Sequence, residues 1–361
     1  MKAPVSKSAR AKKHTSPLPE HYFIKTGVSG AEVNPWDIAH ISADTLKGVA
    51  GFVEPDFIQE FTIGRKSTEP VTAVSAKSIS KEAVKGSYDP DWKPHKDLVW
   101  HLGDAYSQLK SAREAVAGID YTVRIGHLDT GFSKTHVVVP EAVKNNPLQR
   151  SFVKDETADE AYDRDTKGFL KQPGHGTATL ALLAGNKIRM QTDDGLFNDY
   201  LGGAWFADVI CCRISPTVVL IKTSAFADAI NYLTGLTLNG TPVHVISMSM
   251  GGAPSRTWAD AVNAAYEAGI TMVTAAGNHF NGVPTRHLVY PARFGRVVAA
   301  CGVTYEYAPY LTKKLGEMQG CYGPDRYMGT ALAAFTPNLP WASIHSGNIN
   351  FAGAGTSSAT P

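Results

Sequence analysis

Four residues in this chain have the types and settings that acyl transfer requires. Asp129 closes the apolar run "YTVRIGHLD" and is followed by Thr130 and Gly131. His175 stands between Gly174 and Gly176 in "QPGHGTATLALLAG". Asn278 follows Gly277 just after "ITMVTAA", and Ser357 sits among small residues in "FAGAGTSSATP". A serine hydroxyl is a poor nucleophile until a neighbouring base takes its proton, and an imidazole does so best when a carboxylate fixes its tautomer. A fixed side-chain amide can donate to a carbonyl oxygen as negative charge builds on it. Asp129, His175, Ser357 and Asn278 supply these roles, and the small residues beside Ser357 suit a sharp turn and a close substrate.

Taken singly, each position has a plainer reading. Asp129 could be a carboxylate bonded to turn amides. An apolar-Asp-Thr-Gly run also marks aspartic proteases, but those need two such motifs, or a short dimeric chain, on an all-β frame. His175 at a helix start could be structural. The positive end of the helix dipole there disfavours an imidazolium, which a partner carboxylate has to counter. Asn278 could simply serve a turn.

The elements that must position these residues follow from periodicity. Short apolar runs, "YTVRIGHLD", "VICCRI", "VHVISMSM", "ITMVTAA" and "RVVAACGV", alternate with helical patterns. Phe226, Ala229, Ile230 and Leu233 share one helix face, with Gly235 as a stop. Trp258, Ala261, Val262 and Ala265 repeat that spacing between a Pro254-Ser255 start and a Gly269 stop. Continuous apolar strands alternating with amphipathic helices predict an α/β domain whose mostly parallel sheet is covered on both faces. Chemistry in such sheets collects at the carboxyl ends of the strands.

Ahead of that domain, residues 1–21 read as a basic flexible tail, 22–62 as a small α+β unit and 63–92 as a linker rich in Ser, Thr, Lys, Pro and Val. The catalytic domain is predicted over 93–361. The 361 residues, 43% hydrophobic and 19% charged, suffice for a large buried core. A net charge of +2 argues against nucleic acid as the partner. Four cysteines are too few for a disulfide scaffold, and the adjacent Cys211 and Cys212 should face opposite sides of a strand as buried thiols. The first residues, "MKAPVSKSARAKKHTSPLPEHY", are basic and lack the apolar stretch of a secretory signal, and no later run is long enough to cross a membrane. The expectation is a cytoplasmic monomer without a membrane partner, or a secreted protein if the start codon is misassigned.

Together, "HLDTG" at Asp129, "GHGTA" at His175, "SMSMGG" with "AAGN" at Asn278, and "GTSSATP" at Ser357 resemble the subtilase (subtilisin-like) serine protease family, in family order from about residue 120 to 361. The resemblance implies a three-layer subtilisin-like α/β fold and a serine endopeptidase with Asp129, His175 and Ser357 as its triad. It places Asn278 and the Ser357 backbone N–H in the oxyanion hole. It also implies that Ser249, Met250 and Gly251 pair with an extended peptide substrate. That segment, with Ala275, Ala276 and Gly277, should wall a pocket suited to a sizeable apolar side chain, although Met248 and Met250 could equally be core. No cofactor is needed for this chemistry. Structural calcium is a family possibility for which Asp193 and Asp194 alone offer too few ligands.

Some features depart from the family pattern. His127 stands two residues before Asp129, on the same strand face, where an aliphatic residue is usual. It could interfere with the triad, tune it, or be a hydrogen-bonded core histidine. Ser358 replaces a common methionine. "NKIRMQTDDGLFNDYLGG" reads as a polar surface loop inserted near the cleft. "GFVEPDF" looks like the end of a subtilase propeptide, with a permanent accessory module as the alternative. Ser357 should open a long buried helix, so the catalytic domain reads as C-terminally incomplete. From that we expect the 361-residue chain alone to be inactive or poorly folded, the rival being a non-catalytic binding module or fragment.

Overall fold

The computed structural model describes residue 22 and residues 35–56, 97–118, 120–168, 171–192, 195–220, 223–280, 287–312, 318–344 and 347–361. The tail at 1–21, the linker at 63–92, and Asp193 and Asp194 lie outside the described residues.

In chain order the strands are β1 (Arg124–Asp129), β2 (Arg150–Ser151), β3 (Lys187–Thr192), β4 (Gly195–Tyr200), β5 (Asp208–Arg213), β6 (Val219–Leu220), β7 (Val245–Met248) and β8 (Gly251–Gly252). They continue as β9 (Thr271–Ala275), β10 (Asn278–Phe280), β11 (Val298–Val303), β12 (Leu311–Thr312), β13 (Met318–Gly320), β14 (Ala331–Phe335), β15 (Leu339–Ala342) and β16 (Ile349–Gly353). The helices are α1 (Pro35–Thr45), α2 (Leu109–Val116), α3 (Glu141–Lys144), α4 (His175–Ala184), α5 (Thr223–Leu238), α6 (Arg256–Glu267) and α7 (Thr356–Ala359).

Seven strands build one sheet in the order β14-β11-β9-β7-β1-β5-β2, every neighbouring pair parallel. The chain places β5 on one side of β1 and then crosses to β7 on the other. The carboxyl end of β1 is therefore a switch point, where such sheets open a crevice. Alternation along β1 and β5 decides what each face carries. Ile125, Val209 and Cys211 pack under α4, while Leu128, Ile210 and Cys212 pack under α5 and α6. Cys211 and Cys212 thus point to opposite faces, both buried free thiols. At Gly126 a Cβ would lie 2.3 Å from the Leu233 side chain, so glycine lets α5 settle directly on the central strand.

Helices α5 and α6 are joined by Phe226 and Trp258, whose rings meet at 4.3 Å and are both fully buried. Burying side chains of this size stabilises the fold by roughly 1.5–3 kcal/mol each. Ser255 starts α6 by accepting the Trp258 N–H at 3.1 Å, and Gly269 follows it at φ 83°. For α5 the expected stop at Gly235 is wrong. The helix runs on to Leu238 because Leu236 still packs on the core, and the chain turns at Gly240, φ 86°.

The insertion read as a loop is instead the antiparallel hairpin β3–β4. Ile188 and Met190 pack on the α4-side core and Phe197 is buried in it, which gives the hairpin a reason to form. The sequence reading also passed over β14, an edge strand of small residues with Leu332 66% exposed.

Of the amino-terminal unit, α1 and a bridge between Lys47 and Ala50 are described. The following residues reach the helices of the sheet's other face. Glu54 accepts the N–H groups of Arg256 and Thr257 at 3.1 and 3.0 Å. Asp56 accepts the N–H and the hydroxyl of Ser224, each at 3.3 Å. Carboxylates at helix N-termini satisfy amides that have no partner within the helix and complement the dipole.

Candidate active site

Strand β1 delivers Asp129 to the carboxyl edge, and α4 begins with His175 directly over it. That approach depends on glycine. A Cβ on Gly176 would lie 2.1 Å from the Gly131 carbonyl oxygen, and Gly131 itself takes φ 93°. Held this way, His175 Nδ1 lies 2.7 Å from Asp129 Oδ1. An ionised carboxylate only accepts, so the imidazole carries its proton on Nδ1 and leaves Nε2 as the free base. The Asp129 side chain is fully buried. Burial alone would raise its carboxyl, but the His175 charge and hydrogen bond, His127 and the Thr130 N–H together hold it below its ordinary value.

Further contacts fix the pair. Thr130 N–H donates to Asp129 Oδ1 at 2.7 Å, and the Thr179 hydroxyl donates to Oδ2 at 3.0 Å. Trp341, from β15, meets the His175 ring edge to face at 5.6 Å. Asp163 accepts the Gly174 N–H at 2.8 Å and the Thr130 hydroxyl at 3.2 Å, tying the turn before His175 to the loop after Asp129. Burial raises the Asp163 carboxyl even so. Arg213, in register with Asp129 on β5, bonds the Thr130 carbonyl and clamps Glu156 with two contacts of 2.8 and 2.9 Å.

Ser357 enters from the other side, in the first turn of α7. Its hydroxyl donates to the Ser249 carbonyl at 3.2 Å while the Ser249 hydroxyl donates to the Ser357 carbonyl at 2.9 Å. Among the described residues no hydrogen bond joins Ser357 to His175. Asn278 holds the start of α7: its Oδ1 accepts the Thr356 N–H at 2.9 Å. The Thr356 hydroxyl in turn accepts the Gly277 N–H at 3.0 Å. With Oδ1 so engaged, the Asn278 Nδ2 hydrogens carry no hydrogen bond among the described residues. Gly355, at φ 82°, lets the chain pass so close that a Cβ would stand 3.0 Å from that amide.

The segment expected to meet substrate is only partly available. Met250, Ala275 and Ala276 are 2%, 4% and 0% exposed, with Met250 in the same core cluster as Met248. Whatever wall these residues offer is therefore backbone. The Gly251 N–H is bonded to the Val218 carbonyl at 3.1 Å, and β8 pairs with β6. Gly277 takes φ 102° against Val289. The Ser358 hydroxyl lies 2.9 Å from that of Thr336 and 2.9 Å from the Gly355 carbonyl.

Sequence reasoning missed Thr179, Asp163, Trp341 and the Arg213–Glu156 pair. Thr179 stands inside an apolar helical run, yet at i+4 from His175 it shares that residue's helix face, a signal that was there to be used. The others come from distant segments and nothing local marks them. Among the described residues no group of three or more His, Cys, Asp or Glu side chains gathers to hold a metal, and no helix is long and apolar enough to cross a membrane.

Residues 120–361 match the subtilase family of peptidases. Subtilisin DY of Bacillus licheniformis is 31% identical over 186 residues, which cover 50% of this chain and 56% of that protein. The chain thus spans little more than half the length of that relative. Among solved structures, the S41 psychrophilic protease superposes with a TM-score of 0.46 at 20% identity, covering 66% of this chain and 73% of that one. The prenylagaramide maturation protease PagA gives 0.47 at 17% identity, covering 71% and 76%.

Proposed function

The chain belongs to the subtilase family, and on that premise we propose that it is a serine endopeptidase that cleaves extended peptides through an acyl-enzyme. The observation that carries this reading is the 2.7 Å contact between Asp129 and His175 at the carboxyl edge of the sheet, which puts the imidazole proton on Nδ1 and leaves Nε2 as the basic nitrogen. In the reaction the Ser357 hydroxyl exchanges the Ser249 carbonyl for His175 Nε2. Its oxygen attacks the scissile carbonyl as the proton passes to the imidazole. Asp129 stabilises the imidazolium, and the Asn278 Nδ2 hydrogens with the Ser357 N–H receive the oxyanion. The imidazolium then protonates the leaving amine. Water, deprotonated by the same nitrogen, releases the acyl group and restores Ser357. This chemistry calls on no cofactor.

The test is cleavage of an internally quenched peptide library by the protein and by its Ser357→Ala variant. Against the sequence expectation of an inactive chain, we expect hydrolysis by the first, because Asn278 and Ser249 already hold Ser357 in the first turn of α7. The products should have new termini inside the peptides, and the second should give none. Equal turnover by both would overturn the reading, and a folded protein that cleaves nothing would favour a binding module.

The amino-terminal unit fits a propeptide that docks on α5 and α6 through Asp56 and Glu54. Active preparations should then begin within or beyond residues 63–92. An active protein still starting at its first residues would make the unit a permanent module instead.

A further inference from the structure

His127 is buried to 2% exposure two residues before Asp129, and the mechanism above leaves it unused. Its Nε2 lies 2.9 Å from the Thr179 hydroxyl, which is itself 3.0 Å from Asp129 Oδ2. On the other side, His127 Nδ1 is 4.0 Å from Cys211 Sγ. The chemistry of the groups allows one arrangement of protons. The Asp129 carboxylate can only accept, so the single hydroxyl proton of Thr179 goes to Oδ2. The Thr179 oxygen must then accept, so His127 carries its proton on Nε2. His127 Nδ1 is left to accept from the Cys211 thiol.

We propose that His127 and Thr179 are positioning residues whose hydrogen bonds run in one direction, from Cys211 through His127 and Thr179 to Asp129 Oδ2, so that Oδ1 is kept for His175. Without His127, the Thr179 hydroxyl has rival acceptors within its own helix, the carbonyls of His175 and Gly176, each 3.3 Å away. A donor on its oxygen turns the proton toward the carboxylate. Burial pushes His127 down to about 4 and raises the Cys211 thiol, so both stay neutral and keep these roles across the neutral range.

The other groups around the carboxylate leave Oδ2 to this relay. The Thr130 N–H and His175 take Oδ1. The Arg213 guanidinium is turned to the Thr130 carbonyl and Glu156, and Asp163 is engaged by Thr130 and Gly174. On β7, the register neighbour of His127 is the uncharged Ser247.

This inference rests on the triad reading, so its test has one arm that needs no turnover. Thr179→Val keeps the shape and removes the donor, and Thr179→Ser returns it. In the kinetic arm, Thr179→Val should lower kcat about ten- to a hundredfold with KM little changed, the scale of a lost hydrogen bond to a charged group. Thr179→Ser should recover most of that loss. His127→Leu should lower kcat severalfold and serves as the second probe if Thr179→Val does not fold. In the spectroscopic arm, the His175 Nδ1 proton is followed by NMR in the Ser357→Ala background. Its downfield resonance should move or broaden in Thr179→Val and return in Thr179→Ser. An unchanged resonance and kcat in Thr179→Val would overturn the proposal, as would a Thr179→Ser variant as impaired as Thr179→Val. If the parent protein cleaves no peptide, the endopeptidase reading fails by itself and the resonance alone decides the relay.

Discussion

Asp129 and His175 meet at 2.7 Å, Oδ1 to Nδ1, with the carboxylate buried and the imidazole covered by Trp341. The contact brings together the end of a central strand and the start of a helix, 46 residues apart in sequence. It exists because Gly176 lets the start of α4 approach the Gly131 carbonyl more closely than any Cβ would allow. The pair settles the tautomer of His175, and the behaviour of the rest of the site follows from that.

Replacing Asp129 with Asn should therefore lower kcat by about four orders of magnitude, because an amide N–H facing Nδ1 selects the tautomer whose Nε2 is no longer a base. KM should change only a few-fold. Steady-state kinetics on a peptide substrate give the answer, and a loss of less than tenfold would argue against His175 as the base.

Asn278 should act later in the reaction. Its Oδ1 is occupied by Thr356, so in the proposed reaction Nδ2 is the part left to meet developing charge. Asn278→Ala should lower kcat by about 10²–10³ with little effect on KM. Losing its hold on Thr356 also loosens α7, so the variant should unfold at lower urea. A rise in KM with kcat unchanged would move Asn278 from the oxyanion to ground-state binding.

Acid should destabilise the fold in a window set by His127. Its folded value is about 4, below the unfolded value near 6.5, so the unfolded chain binds more protons between the two. Stability is full above about pH 6.5, falls as pH drops toward 4 and levels below it, a loss of up to about 3 kcal/mol from this residue. His101, pushed by burial to about 3, adds to the same slope. Asp129, held below its ordinary value, keeps its contribution above the carboxylate range and loses it at lower pH. Urea midpoints of the Ser357→Ala protein from pH 7 to 4 should fall, and His127→Leu should flatten part of that fall. Parallel curves for the two would contradict a neutral buried His127.

Glu54 satisfies two amides at the start of α6 that the Ser255 cap leaves open. Glu54→Ala should cost about 1 kcal/mol in unfolding free energy while the amino-terminal unit is attached. Denaturant titration of protein retaining that unit measures it, and an unchanged midpoint would mean that water replaces the carboxylate without loss.

The sequence made the sheet legible wherever an apolar run was continuous, as in "VICCRI", and the helices wherever the period was kept, as at Trp258, Ala261, Val262 and Ala265. The candidate site was legible because glycines flank its chemical groups, marking where backbones must approach. The missing parts had weaker signals. Strand β14 is rich in alanine on an exposed edge, and in the hairpin β3–β4 the buried Phe197 stands next to the exposed Leu196 in a short, mostly polar stretch without clean alternation. Gly235 misled because the burial of Leu236 outweighs glycine's poor helix propensity. Thr179, Asp163 and Trp341 act through tertiary contacts with residues far away in the chain. His127 stood out as a departure, but only the position of Thr179 shows what it touches.

The central claim is that Ser357 is a nucleophile activated by His175, and the most direct measurement is covalent labelling with a fluorophosphonate probe followed by peptide mapping. The account predicts stoichiometric labelling on Ser357, slowed in Asp129→Asn and absent in Ser357→Ala. A folded protein that takes no label, or takes it on another residue, would contradict it.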